Sequence, residues 1–296
     1  MKNNLNFKFM SLRRPALCIS LILVLISFGF LFTRGLNLGI DFTGGNVIQA
    51  DFKGERPDVA KVREVVSSVV AKGAMIQNFD NLDKRGIIIR TNEASDESRQ
   101  QVIDVLKKNF AGIELTGFEK VGPVIGGELR QQAFIGVTIA LIAILIYITL
   151  RFQFRFAVVS VVPLVHDVIV ALGFFSITQM EISSSFIAAI LTIVGYSLNN
   201  TIIILDRIRE NWRELSHEGI TELVNKSVNQ TLTRTINTTL TTLFPVIALC
   251  VWGGPVLQAF SYAMLVGIIA GTWSSMFVAT GFLIEWYLAK PEGKKR

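Results

Sequence analysis

The chain has 296 residues, of which 51% are hydrophobic and 18% charged, and its formal net charge is +6. The mean hydropathy of +0.49 is well above that of a water-soluble domain, so the composition excludes a purely soluble globular protein. The two cysteines, Cys18 and Cys250, both lie in apolar stretches, and no disulfide framework is expected.

Apolar stretches long enough to cross a bilayer occur six times, since about 20 apolar residues suffice for one crossing. The predicted spans are Pro15–Thr33, Ala133–Leu150, Phe156–Ile177, Ile182–Leu205, Thr235–Trp252 and Phe260–Leu288. No small-residue cleavage site follows the first span, which favours an uncleaved anchor over a signal peptide. The fold class predicted is therefore an α-helical polytopic membrane protein in which one span precedes, and five follow, a large loop.

The loop, residues 34–130, carries 14 basic and 14 acidic residues and reads as a folded water-soluble domain. Alternating and helical apolar periodicities follow each other in the order β-α-β-β-α-β. The predicted elements are strand 47–52, helix Pro57–Ala71, strands Met75–Phe79 and Gly86–Thr91, helix Asp96–Phe110 and strand Ile113–Val121. This order predicts an inserted α+β ferredoxin-like domain. It holds no nucleophile–base or paired-acid pattern, which favours a docking module over an enzyme.

The net charge lies entirely outside the loop, as 15 basic against 9 acidic residues, and the basic residues occupy alternate connectors. The positive-inside rule predicts cytoplasmic termini and a periplasmic loop domain. The predicted divisions are 1–33 for the N-terminus and first helix, 34–130 for the periplasmic domain, 131–290 for the five-helix bundle, and 291–296 for a cytoplasmic basic tail. Because the loop is neutral, no nucleic-acid footprint is expected.

Ionisable side chains inside spans are costly and point to function. The third span carries His166 and Asp167, and the fourth carries Asn200 and ends at Asp206. The fifth carries Arg234, which helical spacing groups with positions 231, 238, 241 and 245, including Thr238. Such a face is expected to point into a bundle or a wetted cavity.

Structural interpretations compete with functional ones at these positions. Hydroxyl groups in spans commonly join helices, Asp206 suits an interfacial cap, and His166 is able to bond a neighbouring carbonyl group. Asp167 and Arg234 favour function, because a buried charge needs a partner. Asn200 forms hydrogen bonds but carries no titratable proton.

Seven motifs together resemble the SecD–SecF family of protein-export membrane proteins, within the resistance–nodulation–division superfamily, nearly end to end. They are Leu38–Gly45, Val121–Pro123, Leu150–Phe152, His166–Val168, Val194–Thr201 with Asp206–Asn211, Thr231–Thr235 and Gly253–Pro255. The chain is most similar to the smaller, SecF-type members. The first motif and the DRIREN block at 206–211 are the most specific.

The resemblance implies a function in the bacterial inner membrane. A SecF-type subunit works with SecD to use the proton-motive force, and it draws translocating preproteins from the SecYEG channel on the periplasmic side. The implied partners are SecD, SecYEG, preproteins and membrane lipid, with YajC as a further candidate. No cofactor, metal or enzymatic activity is implied.

The family pattern in the fourth span has an aspartate of the proton path where this chain has Asn200. Arg234 matches the membrane arginine of the family. Three explanations stay open: a SecD carboxylate accepts the proton while Arg234 tunes its pKa, Asp167 or Asp206 replaces the missing acid, or coupling is weak.

The motif Leu38–Gly45 supplies a junction between the first span and the first strand. Gly39, Gly44 and Gly45 allow a tight turn, and Asp41 is expected to cap or hydrogen-bond that turn. We interpret the motif as a hinge or junction.

Two other functions compete with the export function. A small-solute transporter of the same superfamily predicts an internal repeat, and none is visible. A membrane-anchored scaffold that does not move protons predicts that Arg234 and Asp167 tolerate neutralisation.

Overall fold

A computed structural model describes residues 7–52, 57–70, 74–81, 84–91, 93, 95–110, 112–151, 154–215 and 219–289. The predicted tail 291–296 and the predicted helix end at Ala71 lie outside these residues. Six long helices form a bundle, and a small α+β domain is inserted after the first of them.

The inserted domain has the element order that the periodicities predict. Its elements are β1 (Gly45–Phe52), α3 (Val59–Ser67), β2 (Ala74–Asn81), β3 (Lys84–Thr91), α4 (Asp96–Asn109) and β4 (Ile113–Val121). The sheet order is β2-β3-β1-β4, and all neighbouring strands are antiparallel. Asp58 caps α3 and Ser95 caps α4, each accepting a backbone N–H bond.

The two faces of the sheet have different surroundings because side chains alternate along a strand. Ile48 and Ile89 join Val62 of α3 and Leu106 of α4 in the core of the domain. The opposite face presents polar and apolar side chains, including Gln49 and Arg90, to a cavity at the membrane bundle.

The chain outside the domain forms the six helices long and apolar enough to cross a membrane among the described residues. The elements are α1 (Arg13–Thr33), α5 (Pro123–Arg151), α6 (Phe154–Thr178), α7 (Ser184–Asn211), α8 (Ile220–Trp252), and a last helix composed of α9 (Gly254–Trp273), a π-helical segment (Ser274–Ala279) and α10 (Thr280–Ala289). A one-turn helix, α2 (Ile40–Thr43), precedes β1.

Two helices begin ten or more residues before the spans that apolarity predicts. The second helix begins at Pro123 and the fifth at Ile220, whereas apolarity predicts Ala133 and Thr235. Hydropathy detects the part of a helix that matches the hydrocarbon layer, and polar extensions that stay helical escape it. The predicted domain boundary at residue 130 consequently falls inside α5.

The bundle has a packed centre and exposed flanks. At least half of the apolar stretch is buried in the third, fourth and last helices, whereas the apolar stretches of α1, α5 and α8 face outward. One apolar core surrounds Leu205 and Leu223, and a second surrounds Phe175 and Phe186 and includes Phe42 of α2. Between these cores lies the polar cluster described next.

Candidate functional site

Asp167 is the centre of a polar cluster inside the bundle and is 1% exposed. Its Oδ1 lies 2.9 Å from Nδ1 of His166 on the same helix. Its Oδ2 accepts hydrogen bonds from Ser197 Oγ of α7 at 2.5 Å and from Ser274 Oγ at 2.8 Å. Three helices thus contribute hydrogen-bonding partners to one buried carboxyl group, which is how a buried charge is made tolerable.

The π-helical segment supplies the last donor of the cluster. Ser274 begins this segment, and Ser275 pairs with Thr201 Oγ1 of α7 at 2.8 Å. A Cβ atom on Gly271, one turn earlier, would lie 3.3 Å from Asp167 Oδ2. Glycine at this position therefore permits the close approach of the last helix to Asp167. The π-helical turn directs Ser274 and Ser275 toward α6 and α7, and such turns are often found at functional sites.

Three buried side-chain atoms of α6 and α7 have no hydrogen-bond partner among the described residues. They are Nε2 of His166 and both side-chain polar atoms of Asn200, which is fully buried. Leaving a buried donor or acceptor unsatisfied costs about 1–3 kcal/mol. The bundle therefore retains hydrogen-bonding capacity beside the Asp167 cluster. The sequence-based alternative in which His166 bonds a carbonyl group is wrong, because Asp167 is its partner.

Arg234 lies elsewhere, on the outward side of α8. Its side chain is exposed, and no ion pair or side-chain hydrogen bond is found for its guanidinium among the described residues. Thr238 Oγ1 donates to the Arg234 carbonyl oxygen at 2.8 Å and so satisfies the helix backbone. The structure does not bring Arg234 or Thr238 together with Asp167.

The prediction that Arg234 and Thr238 share the inward polar face of α8 is therefore wrong. The inward stripe runs through Thr231, Thr235 and Thr239, and Thr239 contacts Tyr196 OH at 3.2 Å and Thr272 Oγ1 at 3.0 Å. These threonines are four residues apart, so they lie on the same face of the helix. Arg234 does not share this spacing, and its side chain faces outward.

Asp206 and Asn211 lie near the C-terminal end of α7, and together with their partners they form a set of polar contacts that we call the brace. Asp206 Oδ2 lies 3.3 Å from Arg151 Nη2 of α5, and both side chains are partly exposed. Asn211 donates to Ser227 Oγ and Gln230 Oε1 of α8, both at 2.8 Å. The DRIREN block thus joins α5, α7 and α8, in agreement with the structural interpretation of Asp206 as an interfacial group.

The junction motif adopts the turn that its glycines require. Gly44 and Gly45 have φ values of 71° and 140°, which side chains rarely adopt. A Cβ atom on Gly39 would meet the side chain of Glu181. Asp41 caps another helix and not its own turn: its Oδ2 accepts bonds from the Ser184 backbone N–H at 2.7 Å and from the Ser184 hydroxyl. A carboxylate there also suits the positive end of α7.

A backbone bridge completes the junction between α1 and the loop joining α6 to α7. Leu38 pairs with Ile182 in parallel. The Gly39 N–H donates to the Ile182 carbonyl oxygen, and the Ile182 N–H donates to the Asn37 carbonyl oxygen, both at 2.8 Å. The segment entering the domain is therefore fixed to the end of the bundle where α6 is joined to α7.

An ion pair between Arg90 of β3 and Glu181 reinforces this contact, and each side chain is 16% exposed. Burial raises the pKa of the Glu181 carboxyl group, and the Arg90 guanidinium opposes the rise. Both residues line a cavity of about 590 Å³ between the open face of the sheet and the bundle. Sequence reasoning missed this pair, although a lone acid in a short connector between two spans was a usable signal.

Replacing Asp41 with alanine removes the cap of α7 and is expected to weaken the junction by about 1 kcal/mol. Hydrogen exchange at the Ser184 amide should accelerate accordingly. Asp41→Asn keeps one acceptor oxygen and should show a smaller change. Equal exchange in wild type and Asp41→Ala would contradict the capping assignment.

Six helices long enough to cross a membrane, with a buried acid–imidazole cluster and a docked α+β domain, define the class as a polytopic membrane protein. No group of three or more metal-ligating side chains occurs in the described part of the chain. The family model "Protein export membrane protein SecD/SecF, C-terminal" matches residues 101–289, and the model "SecD/SecF GG Motif" matches residues 29–54.

The chain belongs to the SecD/SecF family of protein-export membrane proteins, as a member of the SecF type. It is 42% identical over 288 residues to the protein translocase subunit SecF of Magnetococcus marinus, covering 94% of this chain and 91% of that one. For the Pseudomonas aeruginosa subunit the identity is 41% over 279 residues, covering 93% and 90%.

Two solved structures of SecDF are also similar to this chain. The first is the translocon-associated membrane protein SecDF from Thermus thermophilus, with a TM-score of 0.88 and 37% identity. The second is SecDF in the super-membrane-facing form, with a TM-score of 0.72 and 37% identity. Each match covers 97% of this chain but only 40% and 39% of the SecDF chains.

Proposed function

We propose that this chain forms the SecF-type half of a SecD–SecF unit that uses the proton-motive force to draw translocating preproteins from the SecYEG channel. SecF-type membership supports SecD as the partner within the Sec machinery. The observation that carries the proton-coupled mechanism is the buried Asp167 carboxyl group, which is hydrogen-bonded by side chains from three helices. YajC is a further candidate partner.

The proposed topology is inner-membrane and multi-pass, with both termini in the cytoplasm and residues 34–130, classed as a ferredoxin-like domain, in the periplasm. Arginines cluster at the end of the bundle where α1, α6 and the brace at Asp206 meet: Arg13, Arg14, Arg151, Arg155, Arg207 and Arg213. Positive residues favour the cytoplasmic side, which supports this orientation. The opposite end, where the domain is docked, then faces the periplasm.

The outward face of α8 is proposed as part of the contact with SecD. Arg234 is exposed there beside Ile236 and Leu240, which are 43% exposed each. An arginine that faces the lipid inside the membrane is energetically costly. Contact with a second helix bundle that supplies a carboxylate would remove this cost. This agrees with a chain that spans two fifths of the length of SecDF.

The proton acceptor within this chain is proposed to be Asp167. Asn200 carries no titratable proton, and Asp206 is paired with Arg151 at the helix end. Asp167 is buried and has an imidazole within hydrogen-bond distance. These properties favour the explanation in which Asp167 replaces the aspartate that is missing at position 200. A SecD carboxylate beside Arg234 is compatible with it as a second acceptor. We also propose that the chain is not an enzyme.

Export of a reporter preprotein tests this function in cells depleted of the endogenous SecF subunit. Wild type, Arg234→Ala and Asn200→Asp are supplied at matched levels. Arg234→Ala is expected to abolish the stimulation of export, because the partner carboxylate loses its counter-charge, and Asn200→Asp is expected to be tolerated. Equal rescue by all three would make the chain a scaffold for its partner and would contradict proton coupling.

A further inference from the structure

A second cavity, of about 530 Å³, opens at the end of the bundle opposite the docked domain. It lies where α6 begins and where α7 and α10 end. Among the described residues, Arg155 and Arg209 line it and no carboxylate does. Its volume falls within the roughly 300–1,000 Å³ of typical small-ligand sites.

Aromatic rings form the wall of this cavity. Trp212 lies edge-to-face against Phe156 at 5.6 Å and against Tyr287 at 5.8 Å, measured between ring centroids. Trp286 also lines the cavity. Tryptophan and tyrosine at the ends of spanning helices mark the level of the lipid headgroups. The cavity therefore lies where a phospholipid presents its phosphate.

Three acidic side chains near this end pair with arginines that do not line the cavity. Asp206 pairs with Arg151, Glu210 with Arg207, and Glu285 with Arg13. These three acids therefore do not neutralise Arg209. Arg155 is half-buried and makes a further interaction of its own, whereas Arg209 is exposed, so Arg209 provides the cleaner test.

We propose that this cavity binds the phosphate headgroup of an anionic phospholipid in the leaflet at this end of the bundle. Guanidinium groups match phosphate oxygens in pairs, and basic pockets between spanning helices on the cytoplasmic side suit such headgroups. Phe154 and Leu288, 74% and 52% exposed, leave apolar surface for the acyl chains at the ends of α6 and α10. The bound lipid bridges the ends of α6, α7 and α10.

Native mass spectrometry of the purified full chain tests the proposal, with dioleoyl-phosphatidylglycerol and dioleoyl-phosphatidylcholine as probes. Wild type is expected to prefer phosphatidylglycerol. Arg209→Gln should weaken that binding about five-fold, and Arg155→Gln with Arg209→Gln about twenty-five-fold. Arg209→Lys keeps the charge and should retain most of the affinity. Arg213→Gln is the matched control, because Arg213 is exposed at the same end but does not line the cavity.

Equal binding of the two lipids, or an equal loss in Arg213→Gln and Arg209→Gln, would overturn the proposal. A further arm adds glycerol 1-phosphate as a soluble competitor. Displacement of phosphatidylglycerol at equimolar competitor would assign the site to a free phosphate ester and would overturn the lipid assignment. If the double variant fails to fold, the single Arg209→Gln variant decides, since its exposed side chain supports no core contact.

Discussion

Replacing Asp167 with asparagine is expected to abolish the stimulation of preprotein export while leaving the chain folded. Asparagine has the shape of aspartate, and its carbonyl oxygen can accept the bonds from Ser197 and Ser274. Its amide group can donate to Nδ1 of His166 in the other tautomer. The hydrogen bonds are thereby retained and only the titratable proton is lost. Reporter export in cells depleted of the endogenous subunit measures the effect.

The matched control for this prediction is Asp206→Asn, which removes a carboxylate from the partly exposed ion pair with Arg151. Such pairs contribute about 0–1 kcal/mol, so export should continue at close to the wild-type rate. Full export activity of Asp167→Asn at wild-type abundance would remove Asp167 from the proton path. Loss of activity in both variants alike would point to a general defect in the bundle.

Replacing Arg90 with glutamine is expected to loosen the docking of the inserted domain at neutral pH by about 3 kcal/mol, the lower end of the cost of breaking a buried ion pair. The change leaves the Glu181 carboxylate, which is only 16% exposed, without its partner. Arg90→Gln combined with Glu181→Gln replaces the pair by two neutral amides and should recover most of the loss. Hydrogen exchange at the Gly39 and Ile182 amides, which bond across the junction, reports the docking.

The same pair makes the docking depend on pH. Because burial raises the pKa of Glu181, the docked state binds a proton more tightly than the undocked state. Docking is therefore most stable below the ordinary carboxyl pKa and weakens as the pH rises through the raised pKa. Arg90→Gln removes the group that opposes the rise in pKa, so its defect should shrink as the pH falls.

Glu181→Gln is expected to remove most of this pH dependence, because the amide does not titrate. Exchange rates at Gly39 and Ile182, corrected for the intrinsic effect of pH, should then vary little between pH 4 and 8. An unchanged pH dependence in Glu181→Gln would assign it to another group. Asp96, which is exposed and whose pKa Lys120 lowers, serves as the control position through Asp96→Asn.

The larger features of the fold were predictable because they rest on periodicity and length. Six apolar stretches became six long helices, and the β-α-β-β-α-β order of the domain was confirmed. The polar N-terminal extensions of α5 and α8 were missed, since hydropathy does not detect a helix that leaves the hydrocarbon layer. The π-helical turn at Ser274 was also missed, because its serines follow no local pattern that separates it from an α-helix.

The sequence indicated which ionisable residues form the candidate site, but not which side chains hydrogen-bond to them. Asp167 and His166 stood out as ionisable groups inside an apolar span, and the structure places them together. Ser197 and Ser274 could not be chosen among many hydroxyl groups without the packing of three helices. Arg234 was expected on the same face as Thr231, but Thr231 faces inward and Arg234 outward. Asp41 was expected to cap or hydrogen-bond its own turn, whereas it accepts hydrogen bonds from Ser184 at the start of α7.

Proton entry into vesicles that contain this chain together with SecD and SecYEG is the most direct measurement of proton coupling through Asp167. A pH gradient is imposed and a pH-sensitive dye inside the vesicles is followed while a preprotein is translocated. Proton flux is expected to require SecD and to be eliminated by Asp167→Asn, with Asp206→Asn as the active control. Flux of the same size with Asp167→Asn, or in the absence of this chain, would contradict this expectation.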